Sequence, residues 1–533
     1  MMFYKETIFR DTEIGRIPED WEVVKLGTLL DLRNGERPKI REGASIPVYG
    51  ANGIMGYTDN FLVDNDFTII IGRVGASGEI HLGKGKIWVS DNAIFSKSYD
   101  ATKIYPPFLF YLLKLKRLNK FVSKTTHPII TQTFLSNFLV QLPELKEQQR
   151  IAEVLSTVDE AIRKTNEIIA KTERLKKGLM QELLTKGLTL GFMFDTNVFN
   201  AIIDKRIDLR QLPRNLKYYV THIQYDEICS TQNEERKREL LKIMEKVPNE
   251  VIATEGAVYG VSRYGMAKFV SEADAKQYDE MLRRLKELDE EAGKKKPVEN
   301  QIRDVLIALT SIKNCLVLIT EDKNLKKVTE EFNGQAITLE QFQKREYREF
   351  KDTEIGRIPK HWKVVKVSDV LSLEYGRGLS EKERIPGMYP VVGSNGIVGY
   401  HNQAIVKGPG IVIGRKGTIG AVSWIDKDFW PIDTTYYVKT KIPDVFLKWL
   451  FYELIYLNPA RFHLADVVPG LKRELVHSLK MPLPPLQEQQ KIAEILSIID
   501  KKLEVEKNEK AKLEKIKQGL MNLLLTGKIR VRV

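Results

Sequence analysis

The chain has 533 residues and a formal net charge of +13, and it is too long for a single core, so three or more domains are expected. No apolar run approaches the roughly 20 residues that span a bilayer, and the first residues lack the apolar segment of a signal peptide, so we expect a cytoplasmic protein without a membrane partner. Cys229 and Cys315 form no C-x-x-C pair, which argues against a disulfide scaffold or a cysteine-ligated zinc site.

The sequence contains two copies of one pattern. DTEIGRIP at Asp11–Pro18 recurs unchanged at Asp352–Pro359, and EQQRIAEVLSTVD at Glu147–Asp159 recurs as EQQKIAEILSIID at Glu488–Asp500. Both recurrences are offset by 341 residues, although one copy spans only about 180 residues. The surplus predicts an inserted segment. We name the three parts the first copy, the insert and the second copy, at residues 1–190, 191–345 and 346–533.

Glycine-rich segments also correspond between the copies. PVYGANGIMGY at 47–57 matches PVVGSNGIVGY at 390–400, and IIIGRVGASGEI at 69–80 matches IVIGRKGTIGAV at 411–422. A retained framework with changed intervening residues is expected when two modules do the same task on different targets. Short β-rich segments punctuated by glycine are typical of compact α+β domains. We predict such target-binding domains at residues 1–146 and 346–486.

Each copy ends in a long helix, predicted at 147–190 and 487–533. Apolar residues recur there at alternating steps of three and four, as in a coiled coil, up to Leu183 in the first copy and through Ile516 in the second. Polar residues that interrupt the stripe are interpreted as register or partner positions: Thr165, Thr172, Glu506 and Lys510. A helix of about 40 residues is about 60 Å long, so such a pair could hold two domains on separate stretches of one duplex. The alternative is an ordinary dimerisation coil, but the occurrence of such a helix behind each copy favours pairing within the chain.

The net charge is divided unevenly along the chain. The insert has 26 basic and 26 acidic residues, so the whole excess of positive charge belongs to the two copies. A basic excess confined to the duplicated part is expected if this part meets a polyanion, most simply nucleic acid, but on charge alone a merely basic, soluble surface explains it equally well.

The motifs of the two copies resemble the specificity subunit of type I restriction–modification systems. The resemblance rests on the DTEIGRIP opening, the glycine-rich segments and PLPPLQEQQKIAE at Pro482–Glu494, although the first copy has ELKEQQR at the equivalent helix entry. It implies two target-recognition domains, each reading one half of a bipartite sequence in double-stranded DNA. It also implies methyltransferase (modification) subunits and an ATP-dependent restriction subunit as partners, and it places methyl-donor binding and ATP hydrolysis on those subunits.

Candidate DNA-contacting residues are chosen by side-chain chemistry. Arginine, lysine and asparagine near glycine-rich turns can reach guanine or adenine edges. The candidates are Asn52, Arg73, Lys84 and Lys124 in the first copy, and Asn395, Arg415, Lys416 and Arg473 in the second. Because Arg73 and Arg415 are equivalent, we assign them to phosphate contact or internal structure rather than to differential readout.

The insert alternates predicted strands and helices, which suggests a doubly wound parallel sheet. Asp195 ends the apolar strand of FMFDTNVF, and Asp322 follows the apolar strand of CLVLIT, at the sheet edge where open α/β folds place their sites. Glu227 lies in IQYDEI, and Asp304 lies in the helix NQIRDVLIALTSI.

This set resembles the PIN-domain nucleases through D-T-N-V-F, an acidic residue before isoleucine, D-x-x-I-A and L-x-T-x-D, over about residues 192–335. The resemblance implies an α/β, PIN-like domain whose metal-binding and catalytic carboxylates are Asp195, Glu227, Asp304 and Asp322. Such carboxylates hold Mg²⁺ or Mn²⁺, which activates water for phosphodiester cleavage. For a single residue, the alternative is an acid that merely caps a strand or helix.

The sequence therefore predicts a DNA specificity subunit with a PIN-like insert that cleaves nucleic acid, and it leaves two alternatives open. The chain could instead be primarily a Mg²⁺-dependent nuclease, acting on RNA or DNA and directed by specificity-like domains. The insert could also be an inactive scaffold that spaces or docks subunits. Whether the chain is itself an enzyme stays undecided at this stage.

Overall fold

The computed structural model describes residues 3–121, 129–188, 191–204, 216–246, 249–268, 271–344, 350–462 and 470–532. The chain forms two compact units, of which the first consists of Met1–Glu173 and Lys502–Val533, and the second of Arg174–Lys501. The boundary cuts both long helices, so each unit holds the beginning of one helix and the end of the other. None of the helices in these ranges is both long and apolar enough to cross a membrane.

A six-stranded sheet forms most of the recognition domain in the first copy. The helices Pro106–Lys116 and Gln132–Asn137 share one apolar core with this sheet. One strand pair, 46–50 with 80–89, is parallel, and the other neighbours are antiparallel. In spatial order the strands are Leu30–Asn34, Ala93–Tyr99, Val63–Gly72, Ile80–Val89, Ile46–Gly50 and Gly53–Thr58.

The second copy repeats this domain with its strands divided between two smaller sheets. The helices Leu447–Leu457 and Arg473–Ser478 occupy the places of the two helices of the first copy. The prediction of two related α+β domains is therefore confirmed. The strands are Leu371–Tyr375, Thr435–Thr440, Gly410–Gly414 and Val422–Ile425 in one sheet, and Gly396–His401, Tyr389–Gly393 and Trp430–Pro431 in the other.

The repeated DTEIGRIP motif forms a tight hairpin in both copies, between Phe9–Thr12 and Gly15–Pro18 in the first. Gly15 has a φ of 105°, in the left-handed region that favours glycine. The Thr12 hydroxyl donates to the Gly15 carbonyl oxygen at 2.6 Å and fixes the turn. The equivalent hairpin, between Phe350–Thr353 and Gly356–Pro359, has the same turn and the same bond at 2.6 Å.

The repeated EQQ motif joins the long helix to its recognition domain. The Trp21 indole donates to the Glu147 carboxylate at 3.2 Å, and both side chains are buried. The Gln148 side chain accepts from the Tyr105 amide at 2.8 Å and donates to the Pro143 carbonyl at 2.9 Å. These bonds explain why the two copies keep this motif while other residues change. The second copy repeats them with Trp362, Glu488, Gln489, Phe446 and Pro484.

The long helices span Leu145–Lys186 and Leu486–Leu524. In the first compact unit Asp159, near the start of one helix, accepts from the Tyr111 hydroxyl at 2.8 Å and pairs with Lys517, near the end of the other helix, at 2.5 Å. The helix segments therefore run antiparallel within this unit.

The second compact unit contains the equivalent cluster. Asp500 accepts from the Tyr452 hydroxyl at 2.8 Å and pairs with Lys176 at 2.5 Å. Each repeated aspartate thus joins its own recognition domain to the end of the other copy's helix.

The polar interruptions of the apolar stripe are part of the helix packing. Thr165 and Thr172 are buried, with 6% and 7% of their surface exposed. The assignment of Ile516 to the stripe is wrong, because this residue is 52% exposed. Lys517 takes the inward position instead, where Asp159 neutralises its charge.

The insert contains a five-stranded sheet in which all neighbouring strands are parallel. Both faces are covered by helices, and each face has its own apolar core. In spatial order the strands are Asn249–Val251, Lys217–Val220, Gly191–Phe194, Leu316–Ile319 and Gln335–Ile337. The helices are Thr196–Ile203, His222–Cys229, Glu234–Lys246, Glu272–Glu291, Val298–Lys313, Lys323–Glu331 and Leu339–Gln343.

The two long helices continue into different structures. After Leu524 the chain forms the strand Ile529–Val531, which pairs with Phe3–Lys5. Arg530 is 7% exposed and donates to Glu147 at 2.6 Å and to Asp20 at 2.8 Å. The last strand of the chain therefore completes the first recognition domain.

In the second compact unit the equivalent glutamate has different partners. Glu488, the equivalent of Glu147, accepts from the Leu188 amide at 3.2 Å and from Trp362 at 2.8 Å. His361 Nε2 lies 3.0 Å from the same carboxylate. The buried glutamate is thus retained, but its cationic partner has been replaced.

Glu453 is an uncompensated buried acid in the core of the second recognition domain. It is 1% exposed, and neither carboxylate oxygen has a hydrogen-bond partner within the described ranges. Burial raises the pKa of Glu453 to about 8. The first copy has the fully buried Leu112 at the equivalent helix position.

We expect Glu453→Leu to stabilise the second recognition domain, by roughly 2–3 kcal/mol at pH 9, because an unpaired buried acid is removed. The folded state binds the Glu453 proton more tightly than the unfolded chain, so wild-type stability should fall as pH rises from about 4.3 through 8. Thermal unfolding of the intact chain at pH 5 and pH 9 measures the effect. Glu453→Gln is the uncharged control, and equal stabilisation by Leu at both pH values would contradict the explanation.

Candidate functional sites

Three segments meet around Arg73 in the first copy. The Arg73 amide donates to the Asn92 carbonyl oxygen at 2.8 Å, and the Ile130 amide donates to the Arg73 carbonyl oxygen at 3.1 Å. The hairpin turn that carries the exposed Asn52 is adjacent, because a Cβ on Gly72 would lie 2.9 Å from the Ala51 oxygen. The structure therefore brings Asn52 and Arg73 to the same edge of the domain.

The same arrangement in the second copy centres on the carbonyl oxygen of Thr434. It accepts from the Ser394 hydroxyl at 2.7 Å, from the Arg415 amide at 2.8 Å and from the Lys416 amide at 3.1 Å. The Leu471 amide donates to the Arg415 carbonyl oxygen at 2.9 Å. These bonds gather the segments of all four candidates of this copy, which are Asn395, Arg415, Lys416 and Arg473.

The remaining candidates of the first copy do not belong to this group. Lys84 is exposed on the strand Ile80–Val89, next to Gly85. Gly85 pairs with Asn65 near the start of the strand Val63–Gly72, whereas Arg73 follows the end of that strand. Its ammonium group lies 5.9 Å from the centre of the Phe67 ring. Lys124 lies outside the described residues.

Sequence reasoning missed Tyr375 at the edge of the second domain. The residue is 49% exposed, and its ring centre lies 4.9 Å from the Arg415 guanidinium carbon. The signal available in the sequence was the change from Asn34 in RNG to Tyr375 in EYG at the end of equivalent strands.

The four carboxylates predicted for the insert occupy two strand ends and two helices. Asp195 follows the strand Gly191–Phe194 and caps the next helix. Asp322 follows the adjacent parallel strand Leu316–Ile319 and also caps a helix. Glu227 and Asp304 lie within the helices His222–Cys229 and Val298–Lys313.

Asp195 is buried and fully hydrogen-bonded. The Thr196 amide, the Asn197 side-chain amide and the Thr320 hydroxyl donate to its carboxylate at 2.7, 2.5 and 2.6 Å. Burial raises the pKa of Asp195, and the charge of Glu227 adds to the rise. The Glu227 carboxylate itself accepts from the Thr196 hydroxyl.

Asp304 also carries an elevated pKa, first because it is buried and then because of the charge of Asp195. Burial likewise raises the pKa of Glu227, and Asp304 contributes. The mutual effects mean that these three carboxylates are close enough to repel one another.

A lysine ammonium group lies among these carboxylates. Lys296 Nζ donates to Asp304 and, at 3.2 Å, to Asp322, while Lys294 Nζ lies 3.1 Å from the other oxygen of Asp322. Burial opposes the charge on Lys296, but Asp304 and Asp322 outweigh it and raise the pKa of Lys296. Burial raises the pKa of Asp322, but the two lysines outweigh that effect and lower it overall.

The donor chemistry of the cluster fits a hard divalent cation, but its arrangement does not. Among the residues that the structure describes, no group of three or more His, Cys, Asp or Glu side chains is placed to hold a metal ion. The hydrogen-bond donors to these carboxylates are instead backbone amides, hydroxyl groups, the Asn197 side-chain amide, Lys294 and Lys296. Sequence reasoning missed Lys296, which lies in the basic run GKKKP at residues 293–297.

The two copies each match the same known protein family. The model of the type I restriction modification DNA specificity domain matches residues 18–174 and 359–515, more than half of the chain. The chain belongs to this family. The matches coincide with the two copies and exclude the insert, and they confirm the specificity-subunit part of the sequence interpretation.

Two relatives match this chain along its whole length. The putative type I restriction enzyme MjaX specificity subunit of Methanocaldococcus jannaschii is 26% identical, with 100% of this chain and 99% of the relative covered. The MjaVIII specificity subunit of the same organism is 24% identical, with 100% and 98% covered. The crystal structure of a type I S subunit from M. genitalium superposes with a TM-score of 0.50 at 16% identity, covering 95% of this chain and 96% of that one, which supports the shared fold.

We expect Gly414→Ala to disturb the Arg415 segment, because the added Cβ would lie 2.2 Å from the Thr418 carbonyl oxygen. DNA affinity of the assembled complex should fall about tenfold or more, equivalent to roughly 1.4 kcal/mol. The matched control is Gly378→Ala in the same domain, where a Cβ meets nothing within 4 Å. Equal affinity of both variants for the target duplex, by fluorescence anisotropy, would show that this loop does not position a DNA contact.

Proposed function

We propose that the chain is the DNA sequence-specificity subunit of a type I restriction–modification system, in which each recognition domain reads one half of a bipartite target. The observation that carries the proposal is the repeated loop framework around Arg73 and Arg415. The same backbone bonds present different side chains in the two copies. One framework with two surfaces is suited to two different half-sites.

The charge distribution supports a DNA partner for the copies rather than for the insert. The excess of 13 positive charges lies outside the insert, whose 26 basic and 26 acidic residues cancel. Such an excess neutralises phosphates and makes affinity fall steeply as salt concentration rises.

The proposed partners are modification subunits, which carry methyl transfer, and an ATP-dependent restriction subunit. The relatives that match the full chain are specificity subunits of type I restriction enzymes by name. The long helices, with their exposed faces, are the proposed docking elements for the modification subunits.

Exchange of one domain should change one half-site only. We expect replacement of residues 30–138 by the equivalent segment of a relative to alter one half of the target, because this segment carries the first recognition surface. It leaves in place Trp21, Glu147 and Arg530, which the fold needs. The target is read from duplexes selected from a random library by the complex with modification subunits.

Exchange of residues 371–479 is the matched control and should alter the other half. If either exchange changed both half-sites while the complex stayed folded, the modular assignment would be wrong.

We also propose that the insert is a PIN-like domain with a Mg²⁺- or Mn²⁺-dependent nuclease site that acts on DNA or RNA. The residues of this site are Asp195, Glu227, Asp304 and Asp322. The proposal is supported by Asp195 and Asp322 at the carboxyl ends of adjacent parallel strands, with the helical Glu227 and Asp304 close enough to affect their neighbours' pKa values. The contacts of Lys296 oppose metal binding, because its ammonium group already neutralises Asp304 and Asp322. The competing proposal is an inactive scaffold that spaces or docks subunits.

We expect wild-type protein to bind Mn²⁺ weakly, and Lys296→Met to bind it about tenfold more tightly, because the tethered cation no longer competes. Isothermal titration of the intact chain measures this. Lys295→Met, at an exposed neighbouring lysine, is the control. Adding Asp195→Asn to Lys296→Met should abolish the gain.

The result separates the two readings of the insert. Binding by Lys296→Met that depends on Asp195, with metal-dependent cleavage of single-stranded RNA or DNA, supports the nuclease. Absence of Mn²⁺ binding in both wild type and Lys296→Met would contradict the nuclease proposal and support the inactive scaffold.

A further inference from the structure

The shared arginine of the two recognition domains has different neighbours in each copy. In the first copy Asn34 pairs with Ile94 across adjacent strands next to Arg73. In the second copy Tyr375 pairs with Tyr436 at the same register next to Arg415.

The segment whose amide bonds to the carbonyl oxygen of the shared arginine, at Ile130 or Leu471, leads into a short helix that also differs at its first residue. It begins at Gln132 in the first copy and at Arg473 in the second. The Gln132 side chain is committed to the domain, since it donates to the Leu32 carbonyl oxygen at 2.6 Å. Arg473 instead lies over the exposed ring of Tyr375.

Two guanidinium groups flank one exposed tyrosine ring in the second domain. The Arg415 and Arg473 guanidinium carbons lie 4.9 and 5.3 Å from the centre of the Tyr375 ring. Tyr375 packs against the buried Tyr436 at 5.1 Å between ring centres, and the Tyr436 hydroxyl donates to the Leu471 carbonyl oxygen at 2.9 Å. The Tyr375 ring, which we call the platform, is therefore anchored to the core of the domain.

This platform holds a planar cation in a fixed orientation at the domain edge. Arg415 Nη1 donates to the Asp433 carbonyl oxygen at 3.3 Å, which ties this guanidinium to the domain. The Arg473 ion pair with Glu474 is a 3.5 Å contact to a largely exposed carboxylate, which water screens. An arginine stacked on a ring loses little further freedom on binding and matches the two acceptors of a guanine edge, O6 and N7.

We propose that Arg473, positioned by Tyr375 and Arg415, reads a guanine in the half-site bound by the second recognition domain. Arg415 is assigned to phosphate contact or to support of the Tyr375 ring, because the equivalent Arg73 is present in the first copy and so does not distinguish the two domains. This inference rests on the proposed function of the two domains as half-site readers. It assigns the difference in specificity at this position to Arg473 and Tyr375 rather than to the shared arginine.

The test compares target preferences of the intact chain assembled with modification subunits, using duplexes selected from a random-sequence library. Arg473→Gln introduces the residue of the first copy, and Arg473→Lys keeps the charge but removes the planar fork. Tyr375→Asn removes the platform. Lys439→Gln, at an exposed lysine elsewhere in the domain, controls for lost charge, and thermal unfolding checks that each variant folds.

We expect Arg473→Gln and Arg473→Lys to lose the preference for guanine at one position of the second half-site, by about tenfold or more. The first half-site should be unchanged, Tyr375→Asn should show a smaller loss, and Lys439→Gln should match wild type. A uniform loss of affinity with the guanine preference retained, or a Lys variant equal to wild type, would assign Arg473 to phosphate and overturn the inference. A wild-type complex without any sequence preference would instead overturn the proposed function itself.

Discussion

The structure depends on a buried glutamate at the start of each long helix. Glu147 and Glu488 both accept the indole N–H of a buried tryptophan, and so join helix and recognition domain. A buried carboxylate needs further donors, and loss of one partner of such a pair costs roughly 3–5 kcal/mol. The chain supplies these donors from distant segments: Arg530 for Glu147, and the Leu188 amide for Glu488. Each recognition domain is therefore completed by the chain that follows the other copy's helix.

The repeated aspartates extend this exchange along the helices. Asp159 and Asp500 each join a tyrosine of their own domain to a lysine from the end of the other helix. The insert fits this scheme because it enters where the first helix ends and leaves Glu488 satisfied by the Leu188 amide and by Trp362. A domain can be accommodated there because the Leu188 amide and His361 contact Glu488 in place of the arginine that contacts Glu147, which explains how the insertion is compatible with a retained repeat.

Much of the architecture was predictable from the sequence, because it follows from local patterns. The repeated hairpin needs Gly15 and Gly356 at positive φ, and the helices follow the three-four spacing of their apolar residues. The contacts that complete each domain were not predictable. Arg530 and Glu147 are 383 residues apart, and nothing in their local sequence relates them.

The candidate sites were predictable in position more than in chemistry. The glycine-rich turns point to Asn395, Arg415 and Arg473, whose segments meet at one edge of the second domain. The ring next to Arg473 belongs to Tyr375, which comes from another strand. In the insert, the order of acids located the carboxylate cluster, whereas Lys296 came from a basic run typical of solvent-exposed loops. Residues that belong to a motif can be found from the sequence, whereas a partner such as Tyr375 or Lys296 lies outside the motif and is found only from the structure.

We propose that one framework, used twice, presents two different reading surfaces to a single duplex. The most direct measurement is the set of duplexes that the wild-type chain, assembled with modification subunits, retains from a random library. The account predicts two unlike half-sites separated by a gap of constant length whose bases are not selected. A single continuous site, or two identical half-sites in either orientation, would contradict it.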